Sequence, residues 1–469
     1  LALILTFKNK PKMKNIFQYT IAAIVVFSLA SCEKAITFYQ QDDQFILADS
    51  ALKTPEDVQK LLNSVYDVEA NFLGGQMQNI AELLGDNNDD PTGRNDDYTQ
   101  VYNRRTDFFN GTIAAVFRDA YIAIFRANVL LSKVDDVPGV STEFAKQVKA
   151  EARFIRALNH YMVVRLFAQP YGYSGNNSHA GITLRLVAEQ TPLPRNTVAE
   201  VYQAILDDLQ FAEQNLAETN GVYATKWSAV GLLAKVYLDM GQFNNALAKA
   251  NEVIASGQFQ LDNLDRFEYG GSNENLFFVT STPSINDRRG GAFSGSYRTD
   301  LPTAPVMRTT KTFFDLASVD PNDLRSSWFD VLFPGESNQA YGVAKFNFEF
   351  LEVPVIHFTE IKLIKAECLF EAGDQAGALT EINDLRTRAG AEPYIGLSGT
   401  ALFNAIHFER RLEMCFEGDR VFQLKRLGVR GLIQNIRNAP WNCNGMAIQF
   451  PNSEGTGGGF VFNPEGGCN

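Results

Sequence analysis

Leu233-Ala234-Lys235-Val236-Tyr237-Leu238-Asp239-Met240-Gly241, followed by Asn245-Ala246-Leu247, decides the fold because the chain repeats it. Lys365-Ala366-Glu367-Cys368-Leu369-Phe370-Glu371-Ala372-Gly373, followed by Gly377-Ala378-Leu379, keeps the same order of residue types. In each copy a helical pattern ends on glycine and a second helix begins a few residues on. Glycine suits the left-handed position just past a helix C-terminus. The matched alanines (Ala234 with Ala366, Ala246 with Ala378) let two antiparallel helices approach closely. That is the logic of a tetratricopeptide helix pair. The interval between the copies far exceeds the period of a regular array. The pairs are therefore expected to be interrupted by insertions rather than stacked consecutively.

Helical periodicity extends outward from this core pattern. Val148, Ala152, Ile155, Leu158, Met162 and Leu166 fall at spacings of three and four, which predicts one long helix over 143–167. Val201, Ile205, Leu209, Ala212 and Leu216 form a second stripe, after start signals at Pro194 and Thr197. Between the helical blocks lie long helix-poor stretches at 85–111, 171–194, 261–352 and 437–469, rich in Asn, Asp, Gly, Pro and aromatics. Loops longer than about 15 residues in a compact domain are usually functional. A mostly α scaffold with its chemistry in the loops is the expectation.

Residues 13–32 carry an address. Lys14 follows Met13, an apolar run covers 16–29, and Leu29-Ala30-Ser31-Cys32 closes it. A basic start, a short apolar core and small residues before a cleavage point read as a secretory signal starting at Met13, too short to span a bilayer stably. A cysteine directly after Leu-Ala-Ser is similar to a bacterial lipobox, so residues 1–32 are assigned to a signal peptide and Cys32 to lipid attachment. Acyl chains add roughly 0.8 kcal/mol per buried methylene, enough for several to hold a domain on a membrane. No later apolar stretch is long enough to cross one.

The chain has 54 acidic against 42 basic residues, and losing Lys8, Lys10, Lys12 and Lys14 with the signal makes it more acidic still. Such a surface repels phosphate backbones, and no concentrated basic patch offsets it, so nucleic acid is excluded as a partner. Hydrophobic residues at 45% suffice for one large core or two. Cys368 and Cys415 fall in helical patterns and read as buried thiols. Cys443 and Cys468 sit in the irregular tail, in a compartment that permits disulfides, and are either free or bridged. A bridge would contribute roughly 3–4 kcal/mol in the chain-entropy model.

Several motifs, in order along the chain, resemble those of SusD/RagB-type lipoproteins. They are Glu151-Ala152-Arg153-Phe154-Ile155-Arg156-Ala157-Leu158 with Gln169-Pro170-Tyr171-Gly172; Gly181-Ile182-Thr183-Leu184 with Pro194-Arg195-Asn196-Thr197 and Ile205-Leu206-Asp207-Asp208-Leu209; and Glu409-Arg410-Arg411-Leu412-Glu413 with Phe416-Glu417-Gly418-Asp419-Arg420 and Leu424-Lys425-Arg426-Leu427-Gly428. The ending Asn463-Pro464-Glu465-Gly466-Gly467-Cys468-Asn469 resembles a variant of that family's tail. The resemblance implies a single domain over 33–469, with tetratricopeptide-like helix pairs in a right-handed superhelical scaffold bearing long inserted loops. It also implies an outer-membrane lipoprotein of the Bacteroidota type, facing the cell exterior. Such proteins cap a SusC-type TonB-dependent transporter, bind an oligo- or polysaccharide on the loop face, use no cofactor and are not enzymes. One departure is Phe117, which stands where members often carry tryptophan.

A carbohydrate binder needs flat aromatic faces for the C–H side of a sugar ring and planar polar groups for its hydroxyls. The first candidate cluster is Arg94, Asp96, Asp97, Tyr98, Tyr102, Asn103 and Arg104; the second is Tyr269, Asn273, Asn275, Arg288, Arg289, Phe293, Tyr297 and Arg298, with Trp328 and Tyr341 further along. The resemblance places the sugar site in these same two chain regions. Trp227 reads as core, and Trp441 as a plug joining tail to body. Arg153, Arg156, Glu409, Arg410, Arg411, Glu413 and Glu417 read as ion-pairing and capping residues rather than catalysts.

Enzyme signatures are missing from the sequence: no His-Glu-x-x-His, no Gly-x-Ser-x-Gly and no phosphate-loop glycine–lysine pair. His160, His179, His357 and His407 have no metal-ligand spacing. Asp86-Asn87-Asn88-Asp89-Asp90-Pro91 resembles half a calcium loop, but its sixth place is proline and its twelfth is Asp97, so no metal site is assigned. Two rival readings follow: a tetratricopeptide-type lipoprotein binding peptide or protein in its helical grooves, and a surface glycosidase.

Overall fold

Side-chain caps fix where the helices begin. Thr54 and Asp57 form a capping box at the start of α1 (Pro55–Leu73). After α2 (Gln76–Leu84), Asn95 caps α3 (Asp96–Tyr102), Asn110 caps α4 (Gly111–Lys133) and Ser141 caps α5 (Thr142–Phe167). Thr197 with Glu200 opens α6 (Val198–Asn215), and Thr225 with Ser228 opens α7 (Lys226–Asp239), which α8 (Phe243–Ala255) follows. Each side-chain cap satisfies backbone N–H groups that the helix leaves orphaned, a contribution of about 1 kcal/mol. The computed structural model describes residues 52–468. The predicted signal peptide and Cys32 lie outside the described residues.

The stretch 261–352 carries more regular structure than its composition advertises. It holds three strands and two short helices: β1 (Asn275–Val279), α9 (Gly291–Tyr297), α10 (Lys311–Ala317), β2 (Phe329–Leu332) and β3 (Ala340–Val343). β4 (Val353–His357) then leads into α11 (Phe358–Glu371), α12 (Gln375–Arg388), α13 (Gly399–Glu413) and α14 (Arg420–Val429). The tail adds a small hairpin, β5 (Asn435–Ile436) with β6 (Ala439–Pro440).

Successive helices pack as a continuous series: α1 on α4, then α5, α6, α7 and α8 in turn, and then α8 directly on α11, followed by α12 and α13. The expectation that insertions keep the repeated units from stacking is therefore corrected. The units are distant in sequence and adjacent in space. The reason is β1 pairing antiparallel with β4, with Asn275 opposite His357 and Val279 opposite Val353. That pairing closes the intervening excursion, so the array resumes where it left off. Gly231 marks the contact: a Cβ there would come within 2.8 Å of both Leu276 on β1 and Ile356 on β4. Ser228 Oγ donates to the Leu276 carbonyl at 2.7 Å, and the Lys235 ammonium lies 2.8 Å from Glu360.

The repeat geometry itself matches its residues. Gly241 and Gly373 have φ of +69° and +86°, just past α7 and α11. Ala234, Ala246, Ala366 and Ala378 are fully buried between the paired helices. Every residue of the two predicted stripes, on α5 and α6, is in the core. Arg156 clasps Asp208 through two hydrogen bonds of 2.7 Å, joining α5 to α6. Trp227 is buried, and Trp441 lies against Gly428 of α14, where even a Cβ would collide with the indole. From Thr54 onward the chain forms one compact unit.

Two carboxyls in this core hold protons at neutral pH. Burial pushes Glu69 and Glu82 up to about 8, although Glu69 accepts a hydrogen bond from Asn159 and Glu82 one from the Phe416 N–H. A carboxyl raised in the folded state stabilises fully below its unfolded value and loses that contribution as pH rises through the folded value. Glu69→Gln keeps the uncharged shape. Its stability relative to wild type is expected to rise between pH 5 and pH 8 by roughly 3–4 kcal/mol, the linkage of a carboxyl moved from its ordinary range to about 8. Urea unfolding at the two pH values measures this.

Candidate functional site

One helix–turn–helix, from Glu409 on α13 to Arg420 on α14, holds both loop insertions on the scaffold. Glu409 and Glu413 are each 2.9 Å from the Arg325 guanidinium, which also pairs with Asp323 at 2.6 Å. Arg386 reaches Glu409 at 2.7 Å and Arg388 reaches Glu413 at 2.6 Å, both from α12. Glu417 takes Arg266, Lys345 at 2.6 Å and His357 at 3.1 Å. All of these charged groups are buried or nearly so. Burial alone would raise Glu417, but Arg266 and Lys345 hold it well below the usual carboxylate range. Burial and Arg266 push His357 down, yet Glu274 and Glu417 keep it above its ordinary value.

The same motif fixes the first insertion. Arg411 donates to the Asn87 side chain at 2.8 Å and stacks over Phe313, and Arg420 pairs with Asp86 at 2.7 Å. Burial raises Asp86, but Arg420 and Arg411 outweigh it and hold its carboxyl low. Two of the three aspartates in the run 86–90 are thus paired with arginines, Asp89 with Arg94, while Asp90 accepts from the Thr92 N–H and hydroxyl. Among the described residues, no group of three or more His, Cys, Asp or Glu is arranged to hold a metal ion.

Held in this way, the two insertions meet. Asn88 bridges Thr309, and Thr309 bridges Tyr341, forming a ladder of three extended segments. The Asp89 N–H donates to the Arg308 carbonyl at 3.0 Å, and Thr310 N–H to the Asn87 carbonyl at 2.8 Å. Arg94 Nε donates across to the Val306 carbonyl at 2.8 Å. Tyr341 packs its ring on Phe314 with centroids 4.5 Å apart, and its hydroxyl accepts from Gln339 at 3.2 Å. Burial raises Asp89 despite the neighbouring Arg94 and Arg308. The patch offers two half-buried aromatic rings beside guanidinium, carboxylate and amide groups. That set can hold an uncharged polyol by ring contact and hydrogen bonds, and it contains no paired nucleophile and base.

The predicted residues fall into three groups. Arg94 and Tyr341 belong to the patch. Tyr102, Asn103 and Tyr269 lie away from it: Tyr102 is half-buried under the Arg437 guanidinium at 4.0 Å, Asn103 is exposed at the end of α3, and Tyr269 is 48% exposed in the turn before Gly270 and Gly271. Tyr98, Phe293, Tyr297 and Trp328 are corrected to core residues. Tyr98 is 7% exposed, with its hydroxyl accepting from Asn79. Phe293 and Tyr297 pack on Phe346 at 4.5 and 5.2 Å, on α9 rather than on a loop. Trp328 lies under the Lys345 ammonium at 4.2 Å. Aromatics in an insertion that builds its own core are consumed by that core. Arg308, Lys311 and Phe314 were not singled out from sequence; the N-cap Thr310 was the available signal that a short helix would present Lys311 and Phe314 beside Tyr341.

Cys443 and Cys468 form a disulfide with Cα atoms 5.1 Å apart, while Cys368 and Cys415 are buried free thiols. Among the described residues, no helix is long and apolar enough to cross a membrane.

Two family models match the chain. One, SusD-like and described as starch-binding associating with outer membrane, covers residues 43–238; the other, the SusD family, covers 322–455 and so includes the 409–420 motif. SusD-like protein P25 of Formosa agariphila is 25% identical over 92% of this chain and 93% of its own length, and SusD-like protein P2 of the same organism is 26% identical over 92% and 94%. A SusD superfamily protein from Bacteroides thetaiotaomicron superposes with a TM-score of 0.79 at 21% identity, over 88% of this chain and all of the other. A laminarin-binding SusD-like protein superposes with a TM-score of 0.69 at 22% identity, over 88% of this chain and 99% of the other.

The division into core and patch has a direct consequence for stability. Tyr297→Ala and Trp328→Ala are expected to cost roughly 3–5 kcal/mol each, as large-to-small core changes do, and Tyr341→Ala less than about 1.5 kcal/mol. Chemical denaturation of the three variants distinguishes them.

Proposed function

This chain belongs to the SusD/RagB family, and we propose that it captures a polysaccharide on the Arg94–Tyr341 patch and passes it to a SusC-type TonB-dependent transporter. SusD family proteins are binding proteins, not enzymes, and the outer-membrane association of the matched family agrees with the address read from residues 13–32. Cys32 would carry the lipid, with the loops facing the cell exterior. The observation that supports the patch is the Asn88–Thr309–Tyr341 ladder, which joins both predicted insertions at one place. Contacts of ring to sugar and of guanidinium to hydroxyl need no conformational change, because the supporting segments are already tied to α13 and α14. The laminarin-binding relative makes a β-glucan the first ligand to try.

Native affinity electrophoresis tests this proposal. The chain from residue 33 is run through gels containing laminarin, starch, xylan, mannan or alginate. Retardation in one gel, relieved about tenfold or more by Tyr341→Ala and by Arg94→Ala, is the expected outcome. No retardation in any gel would sink the polysaccharide reading and turn attention to peptide cargo in the helical grooves.

A further inference from the structure

The C-terminal tail, 437–468, builds a second concave surface that the Arg94–Tyr341 patch does not use. A cleft of about 310 Å³ opens between residues 104–108 and the two tail segments 445–449 and 463–467. This lies at the lower end of the range for small-molecule sites, roughly 300–1,000 Å³. We infer that this cleft is a separate binding site for a neutral saccharide of one or two sugar units, such as a chain end.

The cleft is rigid before any ligand arrives. The Cys443–Cys468 disulfide closes the tail on itself, and the Gly445 N–H donates to the Gly467 carbonyl at 3.2 Å. Gly445 and Gly467 meet the Arg104 carbonyl so closely that a Cβ at either would lie 1.9 or 2.7 Å from it, so backbone packs directly on backbone. The floor is made of two buried amides that satisfy each other's segments. Gln449 Nε2 donates to the Asn463 carbonyl at 2.9 Å, and the Asn463 N–H donates back to Gln449 Oε1 at 3.1 Å. Asn463 Nδ2 further ties the tail to α5 through the Phe167 carbonyl at 2.9 Å.

The rim carries the chemistry. Asp107 is held in place by accepting from the Phe109 N–H at 2.7 Å and from Gln100 Nε2 at 3.1 Å. A carboxylate has about four acceptor sites, so two remain for sugar hydroxyls. Glu465 stands exposed on the opposite tail segment. The Phe108 ring is fixed edge-on against Phe462 at 4.7 Å and is only half-buried, which leaves apolar surface for C–H groups. Arg104, 3% exposed, contributes its backbone to the wall against Gly445 and Gly467, while its guanidinium donates away to the Ile436 and Leu84 carbonyls at 2.8 and 3.2 Å. The lining thus sets two carboxylates beside Arg105 and backbone polar groups, which disfavours a strongly charged ligand and suits a polyol that both donates and accepts.

Saturation-transfer NMR on the full mature chain tests the assignment, with glucose, galactose, mannose, xylose, maltose, cellobiose and laminaribiose as probes. At least one sugar is expected to receive saturation, and Glu465→Ala or Asp107→Asn should weaken its apparent affinity about tenfold, the usual scale for a hydrogen bond to a charged group. The same weakening by Glu465→Ala or Asp107→Asn is expected in a Tyr341→Ala background, where the ring of the polysaccharide patch no longer contributes to the signal. Glu465 is exposed, so its truncation leaves the fold intact, which unchanged thermal unfolding verifies. Saturation of no sugar, or a signal indifferent to both cleft variants, overturns the inference. A signal lost only with Tyr341→Ala also overturns it, while leaving the polysaccharide patch standing.

Discussion

Glu413 and its neighbours on α13 bear a burden that helices rarely carry: several full charges taken out of water. Moving one ion from water into a protein interior costs several kcal/mol even after relaxation, and only good geometry with complete hydrogen bonding offsets it. Here the geometry is good. Arg325 meets three carboxylates within 2.9 Å, and Glu417 meets two cations and an imidazole. Such a network adds little net stability over an apolar core, but it fails sharply when one member is removed, by about 3–5 kcal/mol. What it adds is uniqueness of arrangement. Arg266, Arg325 and Lys345 all come from the long insertion, and all three meet those glutamates in the observed docking pose.

That constraint explains how a helical array carries the irregular surface proposed to bind ligand. The β1–β4 pairing closes the insertion at its base, so α8 and α11 stack as though it were absent. The network on α13 then anchors the body of the insertion, and Arg411 and Arg420 anchor the segment at 86–87 from the other side. Two loops far apart in sequence are thereby held edge to edge. Binding residues on loops need such support, since an ordered loop does not lose conformational freedom again when ligand arrives. The tail follows the same rule by different means, using a disulfide and buried amides in place of ion pairs.

The helices were legible in the sequence because their signals are local. Thr197 and Glu200 announce α6, Gly241 and Gly373 end their helices, and the stripe through Ile155 and Leu158 is buried as its spacing requires. The lost information is non-local. β1 and β4 are short apolar runs, one containing Pro354, whose partners lie some eighty residues away, and nothing in either run names the other. For the same reason the stacking of α8 on α11 was not foreseen. Within the proposed patch, Arg94 and Tyr341 were singled out because polar and aromatic residues in loops are the types that can meet a sugar. Phe293, Tyr297 and Trp328 have that same appearance and are core, because an insertion of this length needs an interior of its own. The charged residues of the 409–420 motif were correctly read as ion-pairing, although their partners in the insertion were not visible.

The dependence of the binding surface on the α13 network is tested most directly by hydrogen–deuterium exchange on Arg325→Met in the full mature chain. Faster exchange is expected across 306–311 and 340–343, with α5 to α8 as protected as in the wild type. Protection unchanged in those two segments, or lost uniformly along the helices, would contradict the view that this network exists to position the insertion.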